Sequence, residues 1–195
     1  MRRATIKRET RETQISLTLT IDGSGQSHVD CQVDFLGHML EAFARHGLFD
    51  LDLRARGDLG VEAHHLVEDC GLVLGQAFSQ ALGDRSGIAR AGFFLMPMDE
   101  ALAEVAIDLC GRANCVFQGD LGESLLGTFP PALSLDFLIA LSQTMAANIH
   151  ATIRCGRNDH HKLEAMFKAL GRAMQAACRL EPRLQGQVLS SKGVL

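Results

Sequence analysis

Apolar and polar residues alternate strictly along four stretches of the chain, which is the pattern of β-strands with one buried face. The stretches cover residues 15–21, 51–55, 103–109 and 149–153. In the first stretch, isoleucine and leucine occupy every odd position, whereas serine and threonine occupy the even ones. Turns that contain glycine, at 22–25, 57–58 and 156–158, end three of these predicted strands.

Two further segments have the 3.6-residue spacing of amphipathic helices. Asp34 is expected to cap the first, which stops near Gly47, and two prolines at 130–131 break the chain before the second. The residues expected to face inward are Phe35, Met39, Leu40 and Phe43 in the first helix and Leu135, Leu138, Ile139 and Met145 in the second.

Two longer helices open with the same motif, a histidine pair followed three residues later by glutamate. The motif occurs as His64, His65 and Glu68, and again as His160, His161 and Glu164. The two segments continue to match for about four helical turns, at Leu74/Leu170, Gly75/Gly171, Ala77/Ala173 and Ala81/Ala177. The first helix is expected to end at Leu82 with Gly83 in the left-handed cap position, and the second to run towards Leu180.

The order strand, helix, strand and histidine-bearing helix therefore occurs twice, which indicates an internal duplication. We expect half-domains at 1–92 and 93–183, followed by a polar tail at 184–195 that resembles a closing flap or an anion-binding loop. Each half-domain is predicted to be an antiparallel or mixed sheet that carries two helices, in an α/β (α+β) fold.

The repeated motif predicts a binuclear metal site. On a helix, His64 and Glu68 share a face, whereas adjacent histidines point roughly 100° apart and are better placed to reach different ions. Imidazole and carboxylate ligands without thiolate suit manganese, iron or zinc. The spacing differs from that of zinc proteases, whose glutamate lies between the two histidines. The alternative is a set of surface histidines beside nearby acids, which does not account for the duplication.

Composition narrows the classes of function. A formal net charge of −4, with no tryptophan or tyrosine, gives no general attraction to nucleic acid or membrane. Hydrophobic residues make up 47% of the chain, with four prolines, which favours a compact globular protein. No apolar run has the length of a membrane span, and the N-terminus lacks a signal-peptide apolar region. The six cysteines form no C-x-x-C pair, so we expect reduced thiols and a cytoplasmic protein.

Several motifs, in register along nearly the whole chain, resemble the imidazoleglycerol-phosphate dehydratase family of histidine biosynthesis. Besides the two histidine motifs, they are 11–13 (RET), 22–25 (DGSG), 38–40 (HML), 46–50 (HGLFD), 87–88 (GI), 97–102 (PMDEAL), 111–112 (GR), 164–165 (EA), 167–169 (FKA) and 190–193 (SSKG). The resemblance implies a ribosomal protein S5 domain 2-like fold, assembled into a large homo-oligomer of 24 subunits with metal sites at subunit interfaces. It also implies two Mn²⁺ ions per active site, which remove water from a phosphorylated imidazole diol.

The resemblance also implies roles for individual residues. The metal ligands would be His38, His64, His65, Glu68, Asp136, His160, His161 and Glu164. Glu12 is placed as the substrate-facing acid that transfers a proton, with Glu68 and Glu164 as further catalytic carboxylates. The phosphate ligands would be Arg90, Arg112, Lys168, Ser190 and Lys192, some of them from a neighbouring subunit.

The chain departs from the family's pattern at a few positions near the expected metal ligands. An aspartate usually precedes the ligand at His38, where this chain has Gly37, and a Glu-His pair is usual where it has Leu135 and Asp136. A threonine usually follows the first histidine pair, where this chain has Leu66, and the usual aspartate before that pair is replaced at 62–63. We expect Asp136 to bind a metal ion through oxygen in place of the usual imidazole.

Two other functions are compatible with these features. One is a non-catalytic homologue that keeps the metal-built oligomer as a scaffold or regulator, although a scaffold has no need of phosphate ligands. The other is a related lyase or isomerase that acts on another imidazole phosphate, with the pocket reshaped at Leu66 and Ala42. Turnover of imidazoleglycerol phosphate, measured with manganese added and withheld, distinguishes a dehydratase from both alternatives.

Overall fold

A computed structural model describes residues 1–193 and contains the same order of elements twice. The first half comprises β1 (Arg3–Glu9), β2 (Thr13–Thr20), β3 (Ser27–Cys31), α1 (Asp34–Gly47), β4 (Asp50–Gly57) and α2 (His64–Leu82). The second comprises β5 (Ala91–Met98), β6 (Ala101–Asp108), β7 (Asn114–Gln118), α3 (Leu133–Met145), β8 (Asn148–Cys155) and α4 (Asp159–Cys178). A short 3₁₀ helix, Pro182–Leu184, follows, and the last two residues of the predicted tail lie outside the described residues.

Each half folds into a four-stranded mixed sheet, which confirms the predicted fold class. The strand orders are β1-β2-β4-β3 and β5-β6-β8-β7, so the two sheets have the same topology. In each sheet the last pair in this order is parallel and the other two pairs are antiparallel. The four strands predicted from alternation are the central ones, β2, β4, β6 and β8, and the four edge strands were not predicted.

The helices lie between the two sheets and join the halves. Helices α1 and α2 pack on the first sheet and α3 and α4 on the second, and the contacts between the halves pair α1 with α4 and α2 with α3. The buried side chains of both halves form one continuous hydrophobic core. All six cysteines are free, as expected. Within residues 1–193, no helix combines the length and apolarity that a membrane crossing requires.

The structure corrects some details of the predicted helices. Val33, rather than Asp34, is the N-cap of α1, and no side chain caps that helix. In α3, Ile139 is exposed and Leu135 only half-buried, because Phe137 and Leu141 occupy the core-facing positions instead. Phe35 is likewise only half-buried. After α2, Gly83 has a positive φ of 58°, but its ψ of −126° lies outside the left-handed helical region.

The glycines repeated in the two histidine-bearing helices mark the points where helices of opposite halves touch. A Cβ on Gly75 would lie 2.5 Å from the Leu141 carbonyl oxygen, and one on Gly171 would lie 2.4 Å from that of Phe43. Both contacts are with backbone, which cannot move aside as a flexible side chain can. Glycine is therefore needed twice, once at each helix crossing.

Replacing Gly171 by alanine is expected to destabilise the fold by about 1–3 kcal/mol, because the added methyl group forces α1 and α4 apart. This cost exceeds the gain of roughly 1 kcal/mol that alanine brings to a helix interior. Gly60→Ala is the control, since a Cβ at Gly60 would meet no atom within 4 Å. Urea unfolding of the metal-free protein measures both variants. Equal midpoints for the two would show that the helix crossing tolerates a side chain.

Candidate active site

Three ligand groups converge where α1 and α4 lie side by side. His160 and Glu164 are one turn apart on α4, with Nε2 3.1 Å from Oε2, and His38 of α1 brings its Nε2 to 3.4 Å from the same oxygen. Their ligand atoms all lie within 4.8 Å of one another, and within residues 1–193 this is the one group of three or more such residues that meets this criterion. Asn158 positions the start of α4 by accepting a hydrogen bond from the His160 amide.

Glu164 connects this cluster to a cation. While Oε2 faces the two histidines, Oε1 lies 2.8 Å from Lys168 Nζ, one turn further along α4. Burial acts to raise the pKa of Glu164, but the hydrogen bonds from Lys168 and His160 outweigh it and lower the pKa overall. The carboxylate is therefore ionised at neutral pH and ready to bind a metal ion. Lys168 stands beside the cluster as a positive charge for an anionic ligand.

The equivalent place between α2 and α3 holds His64, Glu68 and Asp136. Asp136 occupies the position of His38, since each lies ten residues before the left-handed C-cap of its helix, Ala146 and Leu48 respectively. His64 lies 3.9 Å from both carboxylates, but it meets Glu68 through Nε2 and Asp136 through Nδ1. The three groups are thus adjacent, although they converge less tightly than their counterparts on α1 and α4.

The two histidines of each motif contact different carboxylates, as expected for adjacent helix positions. The rings of His64 and His65 are inclined by 89°, and those of His160 and His161 by 81°. His65 Nδ1 lies 3.2 Å from Asp58, and His161 Nδ1 lies 2.8 Å from Glu100. Each ring thus engages a carboxylate through Nδ1, so its Nε2 is the nitrogen that could bind a metal ion. The Nε2 of His161 also has a carboxylate oxygen of Asp99 at 3.6 Å.

Asp58 and Glu100 are site residues that sequence reasoning missed. The hydrogen bond to Asp58 raises the pKa of His65. The hydrogen bonds from His161 and from the Asn158 amide lower the pKa of Glu100 to about 2. A sequence signal existed for Glu100, because it belongs to the 97–102 motif.

Leu66, one of the departures noted above, lies in the hydrophobic core. Its side chain is fully buried, and a Cβ on Gly57 would lie 3.0 Å from the Leu66 Cβ. This residue therefore fills the space between α2 and β4 and does not line an open site. The suggestion that Leu66 reshapes a substrate pocket loses its support.

Glu12 occupies the turn that joins β1 to β2 and lies near His65. Its carbonyl oxygen accepts a hydrogen bond from the Asp58 amide, and the negative charge of its carboxylate contributes to the raised pKa of His65. The next residue, Thr13, donates to the buried carboxylate of Asp69 on α2 at 2.5 Å. The turn is therefore fixed to the histidine-bearing helix, while the Glu12 carboxylate makes no hydrogen bond or ion pair with residues 1–193.

The remaining predicted phosphate ligands lie far from both histidine clusters. Arg90 pairs with Asp108 at 2.7 Å and donates to the Leu189 carbonyl of the tail, which brings Ser190 and Lys192 to the same end of the molecule. Arg112 follows β6 at that end. The Arg90 amide bonds to Ala177, which follows Glu164 by 13 residues of α4, or about 20 Å along the helix.

The cluster between α2 and α3 is also far from these residues. Arg90 is joined through Leu109 to Arg85, which lies beyond the C-terminal end of α2. His64 is at the other end of that helix, about 27 Å away. One small ligand cannot touch the Arg90 group and a histidine cluster of the same chain. Of the predicted phosphate ligands, Lys168 alone lies beside a histidine cluster.

The donor set fits a divalent ion. Imidazole nitrogens and a carboxylate oxygen converge with no thiolate among them, which suits manganese, iron or zinc. The carboxylates on Nδ1 of His65 and His161 hold ring orientations of the kind that metal-binding histidines usually have. The arrangement can therefore hold metal ions through a shared set of histidines and glutamates.

Comparison with known proteins places the chain among relatives of full length. The family profile described as "Imidazoleglycerol-phosphate dehydratase" matches residues 31–174. A protein of that name from Chloroflexus aurantiacus is 52% identical over 195 residues, covering 100% of this chain and 95% of the relative. One from Lactiplantibacillus plantarum is 49% identical over 195 residues, and the match covers 100% of this chain and 100% of the relative.

Two solved structures have the same fold. Imidazoleglycerol-phosphate dehydratase from Staphylococcus aureus superposes with a TM-score of 0.83 at 33% identity, covering 92% of this chain and 99% of that one. The Pyrococcus furiosus protein, solved in complex with (S)-C348, gives a TM-score of 0.85 at 33% identity, covering 97% and 100%.

Proposed function

Because the chain belongs to the imidazoleglycerol-phosphate dehydratase family, a family of hydro-lyases, we propose that it dehydrates D-erythro-imidazoleglycerol phosphate to imidazoleacetol phosphate. This reaction is a step of histidine biosynthesis, and we assign it to the cytoplasm. The observation that carries the proposal is the convergence of His38, His160 and Glu164 beside Lys168, since these side chains could bind a divalent ion next to a cation that could bind phosphate.

We propose two Mn²⁺ ions per active site. One would be held by His38, His160 and Glu164, and the other by His64, Glu68 and Asp136. His65 and His161 face away from these clusters, so each would complete the ligand set of an ion held by another subunit. When bound, the two ions would supply positive charge to the two nitrogens of the substrate's imidazole ring.

The reaction needs a group that moves a proton, and Glu12 suits this role. Its carboxylate is exposed, is free of protein partners among residues 1–193, and stands on a turn held to the helix that carries His65. We assign to Glu12 the removal of the proton from the second carbon from the ring, while the hydroxyl group on the carbon beside the ring leaves as water. The enol that results becomes the ketone of imidazoleacetol phosphate by taking up a proton on the carbon beside the ring. Glu68 and Glu164 would be further catalytic carboxylates as well as metal ligands.

A complete site requires more than one chain. Arg90, Arg112, Ser190 and Lys192 would bind the phosphate together with Lys168, but within one chain they lie about 20 Å or more from the histidine clusters. We therefore propose that the Arg90 group of one subunit faces the histidine cluster of a neighbour. The large homo-oligomer, of 24 subunits by family resemblance, would be the form in which these groups meet.

The direct test is turnover of imidazoleglycerol phosphate by protein stripped of metal, with manganese added and withheld. We expect activity that depends on manganese and a content approaching two ions per chain. Protein that binds two ions per chain but leaves the substrate unchanged would support a scaffold instead. Product formation at full rate without any divalent ion would contradict the metal assignment.

Asp136→Ala is expected to remove one ion per site together with activity, because it deletes the ligand that replaces the usual histidine. Asp136→His should tighten metal binding and raise turnover, since imidazole has a longer reach than the carboxylate of aspartate. Metal content and kcat are measured on both variants. An unchanged metal content in Asp136→Ala would show that this carboxylate is not a ligand.

A further inference from the structure

The two halves contain a pair of equivalent glutamates with different surroundings. Glu12 directly precedes β2, and Glu100 directly precedes β6, the equivalent strand of the second half. The strand pairing supports this equivalence, because Ile15 pairs with Ala55 of β4 just as Ala103 pairs with Ile153 of β8, and each lies three residues after its glutamate. The duplication thus gave each half a glutamate at the turn beside its histidine-bearing helix.

Glu100 is fully engaged by its own chain. One carboxylate oxygen lies 2.8 Å from His161 Nδ1, and the other accepts the amides of Asn158 at 2.9 Å and Arg157 at 3.2 Å. Asn158 is also the N-cap of α4 and accepts the amide of His160. A single side chain therefore ties the β5–β6 turn to the first residues of the helix that presents both histidines.

Glu12 has no such partners, and the lengths of the two turns explain the difference. Met98 pairs with Ala101, so Glu100 belongs to a two-residue turn that lies close against α4. Glu9 pairs with Gln14, which leaves a longer turn, 10–13, that holds Glu12 further out. In the first half, Asp58 rather than Glu12 engages the second histidine, at 3.2 Å from His65 Nδ1.

We propose that Glu100 is a positioning residue that accepts a hydrogen bond from His161 Nδ1 and so keeps Nε2 unprotonated and directed outward as a metal donor. Glu100 and Asp58 then have the same role in the two halves, each accepting a hydrogen bond from Nδ1 of the second histidine. The carboxylate of Glu12 remains available to contact the substrate. This inference rests on the proposed function for its effect on metal binding, but the hydrogen bond itself acts in the metal-free protein. Carboxylates that orient a ligating histidine in this way commonly change metal affinity 10–100-fold.

The first experiment reads the hydrogen bond without metal. In metal-free protein labelled with ¹⁵N-histidine, at about pH 8 so that free imidazole is neutral, the His161 ring should carry its proton on Nδ1. The signal is assigned with His161→Gln. In Glu100→Ala the Nε2-protonated form should gain population, as in unconstrained histidine. A His161 ring protonated mainly on Nε2 in the wild type, or unchanged in the variant, overturns the proposal whether or not the protein is a dehydratase.

The second experiment counts manganese on the same proteins by the EPR signal of the free ion. Glu100→Ala should bind one of its two ions per chain 10–100-fold more weakly and the other as the wild type does. Glu100→Gln keeps an acceptor oxygen, so its affinity for the weakened ion should lie between those of the wild type and Glu100→Ala. The control is Glu104→Gln, because Glu104 lies on the same β5–β6 hairpin as Glu100 and its ion pair with Arg154 of β8 is exposed. This variant should bind both ions as the wild type does.

A purely structural role for Glu100 would produce a different result. Loss of the hydrogen bonds between the turn and α4 would lower the urea midpoint of the metal-free protein and reduce the affinity for both ions to the same extent. That outcome, or unchanged affinity for both ions in Glu100→Ala, contradicts the positioning role. Wild-type protein that binds no manganese and turns over no substrate would refute the proposed function, and the tautomer measurement would still decide the role of Glu100.

Discussion

Replacing Glu12 by glutamine is expected to lower kcat by a factor of about 10²–10⁴, which is the usual contribution of a positioned proton-transfer group. Glutamine has the same shape but cannot accept a proton at neutral pH. The hydrogen bonds that fix the turn do not involve the Glu12 side chain and should persist. They run from the Asp58 amide to the Glu12 carbonyl oxygen and from the Thr13 hydroxyl to the Asp69 carboxylate. Metal content, KM and the unfolding midpoint are therefore expected to stay close to the wild-type values.

The control for this variant is Glu9→Gln, because Glu9 is an exposed glutamate at the end of β1 in the same hairpin. It should leave kcat unchanged. Steady-state kinetics of both variants at saturating manganese gives the comparison. A Glu12→Gln enzyme with nearly full kcat would mean that another carboxylate, Glu68 or Glu164, transfers the proton.

Alternation in the sequence predicted the central strands of both sheets and missed all four edge strands. Central strands such as β6 place every second side chain in the core, as the burial pattern of Ala101–Asp108 shows. Edge strands contribute less to the core, so their patterns are weak. β3 is five residues long with no buried side chain, and β5 is apolar on both faces. Their positions become clear only through pairing with a neighbouring strand.

The candidate metal ligands of the two histidine motifs were visible in the sequence because the duplication repeats them at the same spacing, whereas His38 and Asp136 were indicated only by the family resemblance. Helix geometry alone also predicted the divergence of adjacent histidines. The partners of their Nδ1 atoms, Asp58 and Glu100, were not predicted, because each approaches from a separate turn whose position depends on the whole sheet. The exposed position of Ile139 and the buried position of Phe137 likewise depend on how α3 lies against α2.

The separation of the two groups of site residues was also invisible in the sequence. The sequence gives no distance between Arg90 and His160, and only the course of β5 and α4 shows that they lie at opposite ends of the second sheet and its helix. Arg90 lies where β5 begins, beside Ala177, and Lys168 lies where β5 ends, with Nζ 3.7 Å from the Met98 sulfur. This geometry leads to the central claim, that each active site combines the histidine cluster of one subunit with the Arg90 group of another.

Two inactive variants are therefore expected to restore activity to each other. Glu164→Ala removes a metal ligand, and Arg90→Ala removes a phosphate contact worth about 2–4 kcal/mol. Neither change touches the other group, since the two residues act in different subunits of any one site. Each variant alone has a defect in every site. In a mixed oligomer, some sites combine the intact histidine cluster of an Arg90→Ala subunit with the intact Arg90 group of a Glu164→Ala subunit.

The deciding measurement is the activity of metal-free Glu164→Ala and Arg90→Ala proteins mixed in equal amounts and reassembled with manganese. Random assembly gives about one quarter of the sites an intact histidine cluster and an intact Arg90 group, so about one quarter of wild-type activity is expected. Glu164→Ala mixed with His160→Ala is the control and should stay inactive, because both changes damage the same cluster. Light scattering verifies that the mixtures assemble. Activity of the Glu164→Ala and Arg90→Ala mixture no higher than the mean of the two variants alone would show that each chain builds its own site, and would contradict the account.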